Sequence, residues 1–469
     1  MTVTADTRPD GVPVGSYTGR LVATGGQTVI VTPLAVEKEP ERYDVTLRHL
    51  GRDGQAPEVH VSYLDRIGDC GDLPGCFDYS YGSAAISTLR LPPGRYVLGD
   101  FSVTTGRDDL TLLMQPVLDL RSDVSITLDA RTAEPVVMAA PRASARMMTH
   151  TVKVAREMER PNSSLAYTMG DDAAQPLFTG ALGDPAPNPA DLVAIAQGRF
   201  AEPGPDGDFR DSPYEYNLAA YTLGSLFTGM RLRPAQREFA TVAANYAAIT
   251  PERRILTTSH SAVPVAGPQN LSFPPEGGPE LVSSRLPATR TEYFQAAGFS
   301  WYSSMLQRDP ATGSGALFEG MDQSRAYQAG QTYRQSWCHG VFGPAFGRPR
   351  WYANNLARGV MRKGDRLAVG IMNFVDGDPG RHVNDPRVAP GRVRLLRDGA
   401  IVQDWGRGGY LWTQLPRRRR STGWRPLSSR RSRRSLRRSA RPRPSAPVTS
   451  KARTGCAAAH DGPVRATTG

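Results

Sequence analysis

Apolar and polar residues alternate through residues 43–130. The stretch opens as Tyr43-Asp44-Val45-Thr46-Leu47-Arg48-His49-Leu50 and continues as Glu58-Val59-His60-Val61-Ser62-Tyr63. Ser87-Thr88-Leu89-Arg90-Leu91 and Arg95-Tyr96-Val97-Leu98 repeat the pattern. A period of two marks strands with one buried face. Gly51-Arg52-Asp53-Gly54 and Pro92-Pro93-Gly94 punctuate the runs as hairpin turns. With further strands at 110–118 and 124–130, the stretch predicts a small antiparallel β-sandwich.

The flanking sequence carries the same pattern. Residues 12–24 read as a turn and a strand, and 28–36 as a second strand. Two strands are not a stable domain, so they read as the last hairpin of a sandwich whose first half is missing. Residues 149–156 alternate until Met158-Glu159-Arg160-Pro161 breaks them. Residues 216–227 and 238–248 carry Ala, Leu and aromatics. The Ala content of 238–248 permits a helix, but its strand neighbours and short turns favour a strand. From 289 to 416 the strand signal returns, with Tyr293, Phe294, Phe299, Trp301 and Tyr302 in 292–303. Segments 316–319, 326–337 and 367–374 continue it, and Arg397-Asp398-Gly399 turns a hairpin between 392–396 and 400–403.

These patterns predict an all-β chain of tandem antiparallel β-sandwiches with a disordered basic C-terminal tail. Five parts are expected: a terminal hairpin (1–37), a small β-sandwich (38–135), a β-rich middle region (136–288), a C-terminal β-sandwich (289–416) and the tail (417–469). The length of 469 residues suits two or three cores. Abundant Gly (47) and Pro (39), without long helical periodicity, favour sandwiches over helical bundles.

Charge changes the picture only at the end of the chain. The formal charge of +12 comes from 57 basic and 45 acidic residues. From Arg417 onward there are 16 Lys and Arg and one Asp, so the preceding body holds 41 basic and 44 acidic residues. Arg417-Arg418-Arg419-Arg420 opens a stretch of Arg, Ser and Pro with too little apolar surface to fold. It reads either as a phosphate-binding tail or as a shifted reading frame in a GC-rich gene. Trp424 is its single aromatic, which favours the frameshift. With the half-sandwich at the start, the chain reads as a gene fragment. Residues 1–9 lack the apolar core of a signal peptide, and no run is long enough to span a membrane.

Candidate chemistry is sparse. Cys70 and Cys76 flank a Gly/Asp/Pro loop and read either as a small disulfide or as two thiols. Cys338 and Cys456 have no visible partner. Cys338-His339 lacks a second ligand pair at zinc spacing. The remaining histidines are His49, His60, His150, His260, His382 and His460. His49 and His60 fall on predicted strands as packed or solvated residues. Thr258-Ser259-His260-Ser261 sets serines beside a histidine, but adjacency in sequence is not a triad. Asp206-Gly207-Asp208 with Asp211, and Asp376-Gly377-Asp378 with Asn384 and Asp385, offer calcium-like oxygens. Both lack the EF-hand spacing and read as solvated turns. Asn162-Ser163-Ser164 and Asn270-Leu271-Ser272 are formal glycosylation sequons, read as chance occurrences. Trp301, Trp337 and Trp351 read as core residues, with carbohydrate binding by exposed aromatics as the alternative.

Gly15-Ser16-Tyr17-Thr18-Gly19 followed by Glu37-Lys38-Glu39-Pro40-Glu41-Arg42-Tyr43 resembles the region downstream of the catalytic domain in secreted subtilisin-like serine peptidases of actinobacteria. There a fibronectin-type-III-like sandwich ends in a Gly/Tyr-containing hairpin, and a Lys-Glu-Pro linker leads onward. Leu91-Pro92-Pro93-Gly94-Arg95-Tyr96 and Leu128-Asp129-Ala130-Arg131-Thr132-Ala133-Glu134-Pro135 also resemble that family. So does Trp337-Cys338-His339-Gly340-Val341-Phe342-Gly343-Pro344, although Cys338 and His339 stand where the family has Asn-Arg. The resemblance covers about residues 10–416. It implies a transthyretin- or carboxypeptidase-regulatory-like sandwich at 38–135.

A subtilisin-like enzyme needs Asp, His and Ser in Gly-rich motifs, and no His-Gly-Thr or Gly-Thr-Ser-Met-Ala block occurs. The expectation is therefore an extracellular, non-catalytic accessory region without catalytic, cofactor or metal residues. Its expected partners are a peptidase's catalytic domain and protein substrate. A free-standing surface or carbohydrate-binding β protein is the alternative, and nucleic-acid binding through the tail is the least favoured.

Overall fold

The computed structural model describes residues 13–39, 41–69, 77–159, 164–170, 173–249, 255–268, 283–308, 316–321, 324–340 and strand segments between 343 and 414. Cys70, Cys76, Asn162, Asn270, Trp351, Asn384, Asp385, Trp424, Cys456 and the Arg-rich tail lie outside the described residues.

The chain begins with a two-stranded antiparallel hairpin, β1 (Gly15–Gly25) and β2 (Thr28–Lys38). Gly26, at φ +59°, lets two residues close the turn between Gly25 and Thr28. The register puts Tyr17, Leu21, Ala23, Ile30, Leu34 and Val36 on one face. No residue of either strand is buried, so this apolar face has no cover among the described residues.

The alternating stretch then builds two layers. β3 (Tyr43–Leu50), β4 (Val59–Arg66), β5 (Phe77–Gly82), β6 (Ile86–Leu91), β7 (Gly94–Val103), β8 (Leu110–Leu120) and β9 (Val124–Asp129) follow in order. β6-β3-β9 form an outer three-stranded sheet, and β5-β4-β7-β8 begin a seven-stranded one. Val45, Leu47, Leu91 and Leu128 of the outer sheet pack on Leu64, Tyr96, Leu98 and Leu113 of the larger. These are the inward positions of the alternation.

The seven-stranded sheet is completed from downstream sequence. β10 (Glu134–Met138), β11 (Arg146–Glu157), β12 (Ser164–Met169), β13 (Leu177–Ala181), β14 (Leu192–Ala201), β15 (Tyr214–Leu223) and β16 (Met230–Leu232) come next. The sheet order is β16-β10-β13-β8-β7-β4-β5. Strands from the expected middle region thus extend the small sandwich, because β13 pairs parallel with β8 and β16 parallel with β10.

A second seven-stranded sheet occupies the centre. After β17 (Phe239–Tyr246), β18 (Ile255–Pro264), β19 (Ser283–Arg285), β20 (Ala288–Gln295), β21 (Phe299–Arg308), β22 (Ala316–Met321), β23 (Arg325–Ala326) and β24 (Thr332–Trp337), its order is β12-β11-β14-β15-β20-β17-β24. Strands on both sides of residue 288 share this sheet, so the break expected there does not separate two sheets. β17 is a strand within the segment whose Ala content permitted a helix. A six-stranded sheet led by β19-β18-β21-β22 covers the far face, and short strand pairs follow up to residue 414.

The central sheet has a sheet against each face. On β14, Leu192, Ala194 and Ala196 join Leu112 and Met114 in one core, while Val193 and Ile195 join Phe299 and Trp301 in another. All ten residues of β14 are consequently buried. The architecture is all-β, with sheets stacked face to face. Pairing is mainly antiparallel, with parallel pairs at β3–β9, β8–β13, β10–β16, β15–β20 and β17–β24.

Candidate functional site

Among the described residues, a tight cluster of titratable side chains lies between the central and six-stranded sheets. β15 supplies Glu215, β20 supplies Arg290 and Glu292, β14 supplies Arg199, β17 supplies Tyr246, and β18 supplies Thr258 and His260. Strand alternation explains the placement of Glu215: in Tyr214-Glu215-Tyr216 it is the polar member between two aromatics and points away from the core that holds both rings.

Ion pairs and hydrogen bonds join the set. Arg199 Nε donates to Glu215 Oε1 at 2.8 Å. Arg290 Nη2 donates to Glu292 Oε1 at 2.7 Å and to Thr258 Oγ1 at 2.7 Å, and lies 3.2 Å from Glu215 Oε2. Tyr246 Oη donates to Glu292 Oε1 at 2.6 Å. His260 Nδ1 shares a 2.8 Å hydrogen bond with Ser303 Oγ, and its Nε2 lies 3.8 and 3.7 Å from Glu215 and Glu292.

The electrostatics follow from this geometry. Burial pushes the Glu215 carboxyl up, but Arg199, Arg290 and His260 outweigh it and hold it below the usual carboxylate range. Burial likewise pushes Glu292 up, and His260 and Arg290 overcome that, keeping it far below its ordinary value. Burial together with Glu292 drives the Tyr246 phenol well above its ordinary value.

Oxygen and nitrogen atoms of Glu215, His260 and Glu292 all lie within 4.8 Å of one another, a spacing that could hold a metal ion. Two guanidiniums already balance the two carboxylates, however. A divalent cation there would add unbalanced charge to a site closed by two sheets, which burial makes costly. The set is a buried ionic clamp between sheets. Gln197 strengthens the clamp: its amide donates to His260 O, and its Oε1 accepts from Ala262 N at 2.8 Å.

The other residues singled out in the sequence are placed elsewhere. Ser259 and Ser261 flank His260 along β18, whereas the hydroxyl bonded to His260 belongs to Ser303. His150 Nε2 bonds to Gln175 O at 2.8 Å, and His339 is exposed. In the first acidic loop, Asp208 lies 3.8 Å from Arg210 and Asp211 lies 3.3 Å from Arg285. In the second, Asp376 accepts from Arg381 Nη1 at 2.8 Å and from Cys338 N at 2.9 Å, while Asp378 pairs with Arg325. Each of these four carboxylates faces an arginine. Trp301 and Trp337 are buried in two cores, so neither can offer a ring to a ligand.

Among the described residues, three exposed aromatics stand together on β5, the terminal strand of its sheet. Phe77, Tyr79 and Tyr81 are 48%, 55% and 71% exposed. They alternate with Asp78 and Ser80, so all three rings project from one face. Tyr63 on β4 joins them, with its ring centroid 5.7 Å from Phe77 and 6.3 Å from Tyr79. Behind it stand Tyr167 at 5.5 Å and Phe101 at 5.9 Å. Tyr167 is pinned by its 2.5 Å hydrogen bond to Asp65 Oδ2. Burial, then Asp65, drives its phenol far above the ordinary tyrosine range, so it stays a donor. The result is an aromatic shelf, rigid at its base and open at Tyr79 and Tyr81. Sequence reasoning passed over it, although the signal Phe77-Asp78-Tyr79-Ser80-Tyr81 is a plain aromatic–polar alternation.

Neither a protein-family model nor a curated protein matches the chain. Among solved structures, a candidate adhesin from Bacteroides ovatus aligns at 12% identity and TM-score 0.17, over 48% of this chain and 88% of that one. The Bacillus anthracis TIE protein aligns at 8% identity and TM-score 0.15, over 70% of this chain and 60% of that one. A streptococcal ancillary pilin aligns at 9% identity and TM-score 0.13, over 63% and 99%. At such scores the likeness carries no inference about function.

Proposed function

We propose that this chain is a non-catalytic, extracellular binding protein that takes carbohydrate on the β5 aromatic shelf. The observation that carries the reading is the exposed row Phe77–Tyr79–Tyr81, backed by Tyr63. Exposed apolar surface of this kind marks interaction sites. Tyrosine suits a sugar: its ring face packs on the C–H face of a pyranose, and its hydroxyl bonds to ring hydroxyls. The experiment is a polysaccharide and glycan-array binding assay on the full chain, repeated with Tyr79→Ala and Tyr81→Ala. Binding that weakens about tenfold in each variant supports the reading. Binding that both variants retain, or its absence from wild type, overturns it.

A second reading sets the same binding role in the accessory region of a secreted subtilisin-like peptidase, where it would hold substrate near a catalytic domain. The motifs around Tyr17, Lys38 and Tyr96 support it, as does the uncovered apolar face of the β1–β2 hairpin. Nucleotide sequence upstream of Met1 tests it. A peptidase frame carrying the Asp-His-Ser motifs is expected, and an unrelated upstream gene would overturn it.

A further inference from the structure

Directly behind the shelf, two buried histidines stack face to face. His49 on β3 and His60 on β4 have ring centroids 3.6 Å apart and an interplanar angle of 12°, and each is 1% exposed. They belong to different sheets, so the stack spans the core between the outer sheet and the first seven-stranded sheet. Each ring also reaches a hydroxyl on a neighbouring strand. His60 Nε2 lies 3.3 Å from Ser80 Oγ on β5, and His49 Nε2 lies 2.9 Å from Ser87 Oγ on β6. Ser80 sits between Tyr79 and Tyr81 in the chain. The imidazole pair therefore holds the shelf strand from its inner side.

The surroundings of the pair suit neutral rings. From β7, Asp100 Oδ1 lies 3.5 Å from His49 Nδ1 and accepts from Ser62 Oγ of β4 at 2.6 Å. By register, β7 also presents Ser102, β8 presents Thr111 and Leu113, and β9 presents Leu128. Asp78 lies two positions along β5 from Ser80, and its Oδ1 accepts from Tyr79 N. One carboxylate thus touches the pair, enough to balance a single imidazolium. Two imidazoliums at this separation would repel across a closed core.

We infer that the His49–His60 stack is a pH latch, closed while both rings are neutral, whose double protonation loosens β5 and withdraws the aromatic shelf. Burial first, then His49, holds His60 below the ordinary imidazole range, with Asp100 opposing. The folded state therefore binds protons less readily than the unfolded one. Stability from this source is complete above the unfolded-state value of about 6.5 and is lost as pH falls from there. The loss of ligand on acidification rests on the carbohydrate reading; the loosening of β5 does not.

Hydrogen exchange read by mass spectrometry tests this on the full chain at pH 7.5 and 5.0, with rates corrected for intrinsic exchange. Protection in peptides covering β5 is expected to fall about tenfold or more at pH 5.0, while β14 peptides hold theirs. His60→Gln is expected to remove most of that difference. β5 protection that is independent of pH in wild type, or an equal fall in wild type and His60→Gln, overturns the latch. If the variant does not fold, wild-type histidine ring signals decide. Coupled titration of the two ring signals supports the latch, and independent titration of the two rings overturns it. Glycan binding that is absent at both pH values while β5 still loosens defeats the binding reading and leaves the latch standing. Tyr79-dependent binding of equal strength at both pH values, without loosening, defeats the latch alone.

Discussion

Arg199 Nε lies 2.8 Å from Glu215 Oε1, on adjacent strands of the central sheet, with both side chains almost wholly out of solvent. Removing one partner of such a pair strands the other charge in the core. Glu215→Gln or Arg199→Met is therefore expected to cost about 3–5 kcal/mol, measured by urea unfolding. The double replacement Arg199→Met/Glu215→Leu is expected to recover much of that loss, because well-packed apolar groups leave no unpaired charge.

The same clamp sets a second, more acidic pH window. Glu215 and Glu292 are both held below the ordinary carboxylate range. A depressed carboxyl contributes stability above its unfolded-state value, about 4.3, and loses it as pH falls through the folded-state value. Acid unfolding followed by circular dichroism should thus steepen below about pH 4.3. Glu292→Gln should flatten that fall while leaving in place the histidine-linked loss that begins below about pH 6.5.

Trp301→Ala is expected to cost about 3–5 kcal/mol, because the ring is 1% exposed and packs among Phe294 and Phe299. Its indole also donates to Gln295 O at 2.8 Å. A thermal melt should show the loss directly. In a glycan assay this variant would report unfolding, whereas Tyr81→Ala should melt like wild type.

Gly229 has φ +61°, and a Cβ there would fall 2.4 Å from the Cβ of Glu134. The close approach lets β16 pair with β10, and Gly229 N donates to Thr179 O at 3.1 Å. Gly229→Ala is expected to destabilise by about 1–3 kcal/mol from backbone strain alone, and further from the clash. Differential scanning calorimetry checks it.

The small sandwich was legible because Val45 and Leu47 alternate with polar residues, and those residues form its core. The central sheet was harder to see. Leu192-Val193-Ala194-Ile195-Ala196 has no alternation, since a strand covered on both faces needs apolar residues at every position. Glu215 and Glu292 look like solvent-facing residues in sequence. Only the sheet packed on them, with Arg199 and Arg290 beside them on neighbouring positions of their own sheet, makes them interior. For β5 the period was readable, but periodicity cannot say which side of a strand faces water. His49 and His60 were placed on strands, yet their stacking depends on how two sheets are set against each other.

Because the central sheet serves both of its neighbours, the body cannot be cut and rejoined as separate cassettes. A deletion that removed the six-stranded sheet would bare Val193 and Ile195, and one that removed the first seven-stranded sheet would bare Leu192 and Ala194. Half-length pieces would expose wide greasy faces and precipitate, whereas β1–β2, which shares no core with the other described residues, is the part that recombination could trade freely.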